Sequence, residues 1–591
     1  MRLRLFWDDV RELPVFIRMA GALRSVADDS ADMFGVLVRD QAQRWPDRVL
    51  LRFETETISY GDFNRGANAF AAVLRQAGVG REPVALMMQN SPRLLMAQAA
   101  VAKLGAVGAL INTHLSGAPL SHVLQVCGAR HVFADAVSLP HIVALPASTS
   151  LTVWGAGPAA DLPPHVEPLD VALAAVPSNE PAMPDVRGRD VFLYIYTSGT
   201  TGYPKPAIVR HSRYVIAGIA LSGLLGIGAD DVIYAPLPLY HGESNFVGFS
   251  VALRAGAGFA SRRSFSASAF LDDVRRHGAT AFVYVGELCR YLLRQPPGAH
   301  DRDHHLRLAV GAGLRPDIWQ AFQHRFGIQR IVEMYGATEG NVSLMNRSGR
   351  VGSVGRPYPF QHRHLRLARY DVARGDLARG ADGFLVECGI DEPGELLGRI
   401  TRRGTMPYDG YTDRQATAAK LVHNAFKKGD AYFRTGDLLR RDRDGYFYFV
   451  DRVGDTFRWK GENVATQEVA EILNHAPGIS ETNVYGVPVP GAEGRAGMAA
   501  VVMAPDARFD PVSFYTQAEQ LPPYARPLFV RVMPAMDVTG TLKQRKVDLQ
   551  RDGYERSRIT DPLYVRDDRL RIYVPFTAQL DEALRRGTLR V

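Results

Sequence analysis

Three cysteines in 591 residues, Cys127, Cys289 and Cys388, leave one over after any pairing. That excludes a disulfide-stapled scaffold and points to a reducing, cytoplasmic setting. No apolar run reaches the roughly 18 residues expected of a membrane-crossing helix. Gly-Lys-Ser and Gly-Lys-Thr are missing, so the usual P-loop reading fails, and without Gly-x-Ser-x-Gly there is no hydrolase nucleophile elbow. The arginines are scattered, with no nucleic-acid module among them, so no nucleic-acid partner is expected. What is present is 46% hydrophobic and 22% charged, the balance of a globular protein. At this length two or more domains are expected. The formal charge of +8 favours anionic company, a description that nucleotides, CoA and lipid headgroups all meet.

The first two dozen residues interleave Leu3, Leu5, Phe6, Trp7, Val10 and Phe16 with Arg2, Arg4, Arg11, Arg18 and Arg24. Arg18 interrupts the apolar portion, which argues against a cleaved signal peptide. Two readings stand for residues 1–24. One is an interfacial helix on anionic lipid, peripheral on the inner face of the membrane; the other is a segment docked on its own protein. Pro14 would kink or split such a helix.

Further on, the spacing predicts an amphipathic helix over Phe34–Pro46 and a strand over Val49–Phe53. A helix from Asp62 to about Gln76 follows, then a buried strand at Val84–Met88 and the turn Gln89-Asn90-Ser91-Pro92. Alternating strands and helices with short turns predict parallel α/β layers. The stretch from Pro158 to Pro184, rich in Pro and Ala, reads as a connecting loop. A helix from Thr466 to His475, with strands over Thr482–Val487 and Met498–Met503, predicts a small α+β unit towards the C-terminus.

The stretch with the strongest chemistry is Tyr196-Thr197-Ser198-Gly199-Thr200-Thr201-Gly202-Tyr203-Pro204-Lys205, which follows the strand-like run Val191–Ile195. Glycines let backbone N–H groups turn toward an anion, Ser and Thr hydroxyls add donors, and Lys205 adds a charge. The combination suits a polyphosphate; a solvated linker would seldom follow a buried strand and end in Pro-Lys. A second stretch, Met334-Tyr335-Gly336-Ala337-Thr338-Glu339-Gly340-Asn341, offers a flat face in Tyr335 for a purine and close approach at Gly336. Thr338 is a donor toward phosphate, and Glu339 is a hard oxygen ligand suited to Mg2+. Read by itself this stretch is equally an ordinary turn. The run Ala281–Val285, passing into a helix that starts at Gly286, would let Tyr284 and Gly286 line a chain-shaped pocket or would simply be core.

The first stretch resembles the phosphate-binding signature of the adenylate-forming superfamily, which includes acyl-CoA synthetases, luciferases and peptide-synthetase adenylation domains. Val285-Gly286-Glu287-Leu288-Cys289-Arg290-Tyr291-Leu292, Tyr335-Gly336-Ala337-Thr338-Glu339-Gly340-Asn341 and Thr456-Phe457-Arg458-Trp459-Lys460-Gly461-Glu462-Asn463 narrow the likeness to one family, the very-long-chain acyl-CoA synthetases or fatty-acid transport proteins. It runs from about Thr57 to the C-terminus.

The resemblance implies several roles. Gly313, in Gly311-Ala312-Gly313, would lie against adenine together with Tyr335, Gly336 and Ala337. Asp437 and Arg452 would reach the ribose, and Thr197 to Gly202 with Lys205 the phosphates. Tyr240 and His241 would stand beside the acid, Gly461 near a CoA channel, and Lys543 would be the adenylation lysine. Leu542 stands where a glycine is common before that lysine, and Gly454 where many members carry a hinge Asp or Lys. The implied organisation is an N-terminal domain of layered sheets and helices, residues 1–453, and a small mobile α+β domain, 454–591. The implied activity is ATP- and Mg2+-dependent ligation of a long- or very-long-chain fatty acid to CoA through an acyl-adenylate. A fatty acyl-AMP ligase loading a carrier protein, and a fatty-acid uptake or binding component, share the same motifs and stay open here.

Overall fold

The computed structural model describes residues 26, 29–31, 33–146, 150–197, 203–358, 361–401, 408–492, 494–538 and 546–586. The amphipathic N-terminal segment 1–24 lies outside them. The chain divides into two compact units, residues 1–355 with 400–421, and residues 356–399 with 422–591. Among the described residues no helix is long and apolar enough to cross a membrane.

The first unit is built on two sheets. One has seven strands in the order Val166–Pro168, Thr152–Gly155, His131–Ala134, Pro83–Met87, Val107–Leu110, Val191–Thr197 and Lys205–Arg210. It is parallel throughout except for the last pair. The other has eight strands, parallel in the middle and closed at each end by an antiparallel partner, Ser343–Asn346 on one side and Glu56–Ser59 on the other. Strands such as Ala281–Val285 and Val107–Leu110 are buried along their whole length. That is why they read as continuous apolar runs and not as alternation.

The helices carry ordinary start and stop signals. Pro92–Leu104 begins with Ser91, whose side chain accepts from the Leu94 N–H, has Pro92 in its first turn, and ends on Gly105 at φ +69°. The expected strand at Val49–Phe53 is present, and the expected helix over Phe34–Pro46 spans Phe34–Arg44. The stretch from Pro158 to Pro184 is a correction. It contains the edge strand Val166–Pro168, held by pairing with Thr152–Gly155, and the helix Leu169–Ala175, both too short for periodicity to reveal.

The second unit is built mainly on two further sheets. An antiparallel one runs through Leu365–Ala368, Gly394–Arg399, Ala431–Arg441 and Phe447–Arg452. The other has five strands in the order Ile479–Val487, Ala496–Met503, Phe529–Met533, Leu563–Asp567 and Ile572–Pro575. Its core includes Tyr485, Phe514, Phe529 and Tyr573, with the helices Thr466–Leu473 and Pro511–Ala518 contributing Leu473 and Phe514. The junction expected between residues 453 and 454 falls between these two sheets, inside the second unit.

Candidate active site

The expected phosphate loop is described at its two ends. Val191–Thr197 and Lys205–Arg210 are antiparallel neighbours whose register sets Thr197 directly opposite Lys205. Ser198, Gly199, Thr200, Thr201 and Gly202 lie outside the described residues, as does Lys543.

The strand Arg330–Gly336 carries Tyr335 and Gly336 at its end, paired with Leu344 and Ser343. A tight turn follows, closed by the Gly340 N–H on the Ala337 carbonyl at 3.1 Å. Within it Glu339 is 8% exposed, and its Oε1 accepts from the Tyr411 hydroxyl at 2.9 Å. Burial and the nearby Glu339 charge push the Tyr411 phenol well above its ordinary range, while the Thr197 hydroxyl pulls the other way as a donor to the same oxygen. The phenol therefore stays protonated and bridges the end of the phosphate-loop strand to the glutamate. Thr338 in the same turn adjoins the loop after His241: its Oγ1 lies 3.7 Å from where a Cβ on Gly242 would stand.

That loop, which follows Val232–Tyr234, is pinned by Asn90. The Asn90 amide donates to the Leu237 and Arg262 carbonyls at 2.9 and 3.1 Å, and its Oδ1 accepts from the Leu239 N–H at 2.7 Å. A π-helical segment, Glu243–Phe249, continues the chain. Its Asn245 is fully buried in a polar knot with Gln98 and Tyr214. The Tyr240 and His241 rings lie 4.7 Å apart. Tyr240 is 5% exposed, and its hydroxyl has no hydrogen-bond partner among the described residues.

Gly313 and Gly286 meet backbone to backbone. Gly313 follows Leu308–Ala312 with φ +84°, and a Cβ on Gly286 would collide with the Gly313 carbonyl oxygen. Glu333 holds this loop from below: its carboxylate accepts the N–H groups of Gly313 and Leu314, and the Tyr284 hydroxyl at 2.7 Å. Tyr284 is thus fully buried beneath the loop. Desolvation pushes the Glu333 carboxyl up to about 8 against the pull of its three donors.

In the second unit Asp437 and Arg452 are register partners on adjacent strands, 3.8 Å apart as an ion pair, with the arginine half-exposed. Lys460 and Gly461, at φ +51° and +85°, form the two-residue turn of the hairpin Phe457–Trp459/Glu462–Val464, with open space beside Gly461. Gly454 has φ +95°, also with open space around it. Lys546, three residues beyond Lys543, bonds to Thr466 Oγ1 at 2.6 Å and pairs with Asp455 at 3.2 Å.

Within the first unit the structure therefore brings Thr197 and Glu339 together at Tyr411, sets Lys205 opposite Thr197 and Thr338 beside Gly242, and sets Gly286 against Gly313. Within the second it pairs Asp437 with Arg452. Sequence reasoning passed over Tyr411 and Glu333, and read Asn90 only as part of a turn. Of these only Glu333 carried a signal, since it lies two residues before Tyr335 and so on the same strand face.

The architecture is that of acid–CoA ligases. A crystal structure of the anthranilate CoA ligase AuaEII in complex with anthranoyl-AMP is similar at a TM-score of 0.77 and 20% identity, covering 91% of this chain and all of that one. The chain belongs to the AMP-binding enzyme family, whose model matches residues 38–386, with the family's C-terminal domain at 468–543. The medium/long-chain-fatty-acid–CoA ligase FadD6 of Mycobacterium tuberculosis is 40% identical over 580 residues, 98% of this chain and 95% of that protein. Long-chain fatty acid transport protein 6 of Mus musculus is 37% identical over 97% of this chain and 94% of its own length.

Proposed function

We propose that this protein is an AMP-forming fatty acid:CoA ligase, and that the residues gathered around Tyr411 act on the nucleotide's phosphates. The observation that carries the reading is the Tyr411 bridge, which sets the Thr197 end of a hydroxyl-rich loop beside a carboxylate, as a Mg2+–polyphosphate site requires. The near full-length likeness to a fatty-acid–CoA ligase supports the choice of substrates.

A carboxylate is a poor electrophile, because direct attack by a thiol would expel oxide. Transfer to AMP supplies a good leaving group. As the acid's oxygen attacks the α-phosphorus, negative charge grows on the phosphoryl oxygens and on departing pyrophosphate. Hydroxyl and N–H donors of residues 197–202 and the Lys205 ammonium stabilise that charge. Glu339 fits a hard cation: a carboxylate with one oxygen fixed by Tyr411 and the other without a hydrogen-bond partner among the described residues. Mg2+, when bound, neutralises charge on the outer phosphates. Gly313 and Tyr335 receive adenine, Asp437 and Arg452 the ribose hydroxyls, and Tyr240 and His241 face the acid. Lys543 bridges the acid and the α-phosphate. The segment beyond Val453 then pivots near Gly454, where φ +95° requires glycine-like freedom, and presents Gly461 to CoA.

The test is pyrophosphate release over fatty acids of graded length, followed by thioester formation with CoA or with a phosphopantetheinyl carrier as acceptor. Lys543→Ala should lose adenylate formation by about 10²–10³-fold and still convert supplied acyl-adenylate plus CoA. No pyrophosphate release with any fatty acid would refute the ligase reading, and transfer to the carrier alone would refute CoA as acceptor.

A further inference from the structure

The turn that carries Thr338 and Glu339 is held by two residues outside every motif. Arg213 stands in the first turn of the helix His211–Leu225. One of its terminal guanidinium nitrogens donates to the carbonyls of both Ala337, at 3.0 Å, and Gly340, at 2.8 Å. These are the first and last residues of the turn, so a single side chain sets its width. Tyr411 holds the carboxylate within the turn through Oε1 of Glu339.

Both residues are anchored to the strand that begins at Lys205. The Ile208 N–H donates to the Gly410 carbonyl at 3.0 Å, the Thr412 N–H to the Pro206 carbonyl at 3.2 Å, and Tyr411 pairs with Ala207 across that bridge. Arg213 lies on the helix that follows the same strand directly. Between them Arg210 pairs with the fully buried Asp409 side chain at 2.7 Å. The lysine of the phosphate loop, the tyrosine and the arginine thus share one backbone frame, and the glutamate is oriented from it.

A free glutamate would have to settle its side-chain torsions upon binding a cation. Here Tyr411 occupies Oε1, and Arg213 removes the freedom of the backbone beneath it. We propose that Arg213 and Tyr411 are positioning residues that preset Glu339 so that its second oxygen meets the cation of a Mg2+–nucleotide. This rests on the reading of Glu339 as the Mg2+-binding carboxylate.

The experiment is calorimetric binding of a non-hydrolysable ATP analogue to the full chain, with and without Mg2+. Tyr411→Phe should lower the Mg2+-dependent gain in affinity roughly tenfold, the scale of one hydrogen bond to a charged group, with a clearly smaller change in the Mg2+-free affinity. Arg213→Met should do the same, and Arg213→Lys, which keeps the charge and one donor contact, should recover part of the loss. An unaltered Mg2+ gain in both Tyr411→Phe and Arg213→Met would overturn the inference. So would an equal fall with and without Mg2+, the mark of a merely structural role. Glu339→Gln separates the two levels. If it keeps the full Mg2+ gain, the reading of Glu339 fails and the inference with it; if it loses the gain while the other variants keep theirs, only the positioning role fails.

Discussion

Glu333 is a buried carboxyl that titrates where most proteins are handled, and its replacement by glutamine isolates that titration. Removal from water is the larger effect on it, and the donors from Tyr284, Gly313 and Leu314 only partly offset it. Cys289 on the adjoining helix feels the same carboxylate, and Glu287 is the other charge close to that thiol. The folded protein therefore keeps the Glu333 proton up to about pH 8, whereas the unfolded chain releases it near the ordinary 4.5. Across that window the folded state binds more protons, so stability falls as pH rises, and it levels off above the folded value. One unit of pKa is about 1.4 kcal/mol, which makes the full window roughly 5 kcal/mol. Glu333→Gln removes the proton from this balance while keeping an oxygen to accept from the loop N–H groups. Calorimetric melts of the two proteins from about pH 5 to about pH 9 should diverge, the variant gaining several degrees on wild type toward the alkaline end. Melting curves that stay parallel over this range would show that the carboxyl does not titrate within it.

Tyr240→Phe removes a buried hydroxyl that has no partner among the described residues, so the apo protein should gain about 1 kcal/mol of stability. The same variant should lose roughly tenfold in kcat/KM for the fatty acid, because the acid's carboxylate then has no hydroxyl to meet. Unchanged melting and unchanged kinetics together would refute both statements. Asp437→Ala removes the carboxylate that sits across from Arg452, and should weaken ATP use by about 10–100-fold in pyrophosphate exchange. It should also abolish the preference for ATP over its 2′,3′-dideoxy analogue; a retained preference would place the ribose elsewhere.

Much of this protein was legible in its sequence because the signals are local. The strand at Val49–Phe53 and the Gly286-started helix follow from apolar runs and glycines within a few residues of one another. So does the bracketing of the hydroxyl-rich loop between a buried strand and Lys205. The edge strand Val166–Pro168 escaped because three residues carry no period, and only its neighbour in the sheet defines it. The partners of the candidate site lie further apart still. Tyr411 is 72 residues from Glu339, and Arg213 is 124 residues from Ala337. A tyrosine or an arginine shows no spacing rule in the chain, since its partner is chosen by where the sheets place distant backbones. The sequence by itself determined which chemistry is present. Tertiary structure alone decided which side chains orient it, because a hydrogen bond is made across space and leaves no pattern along the chain.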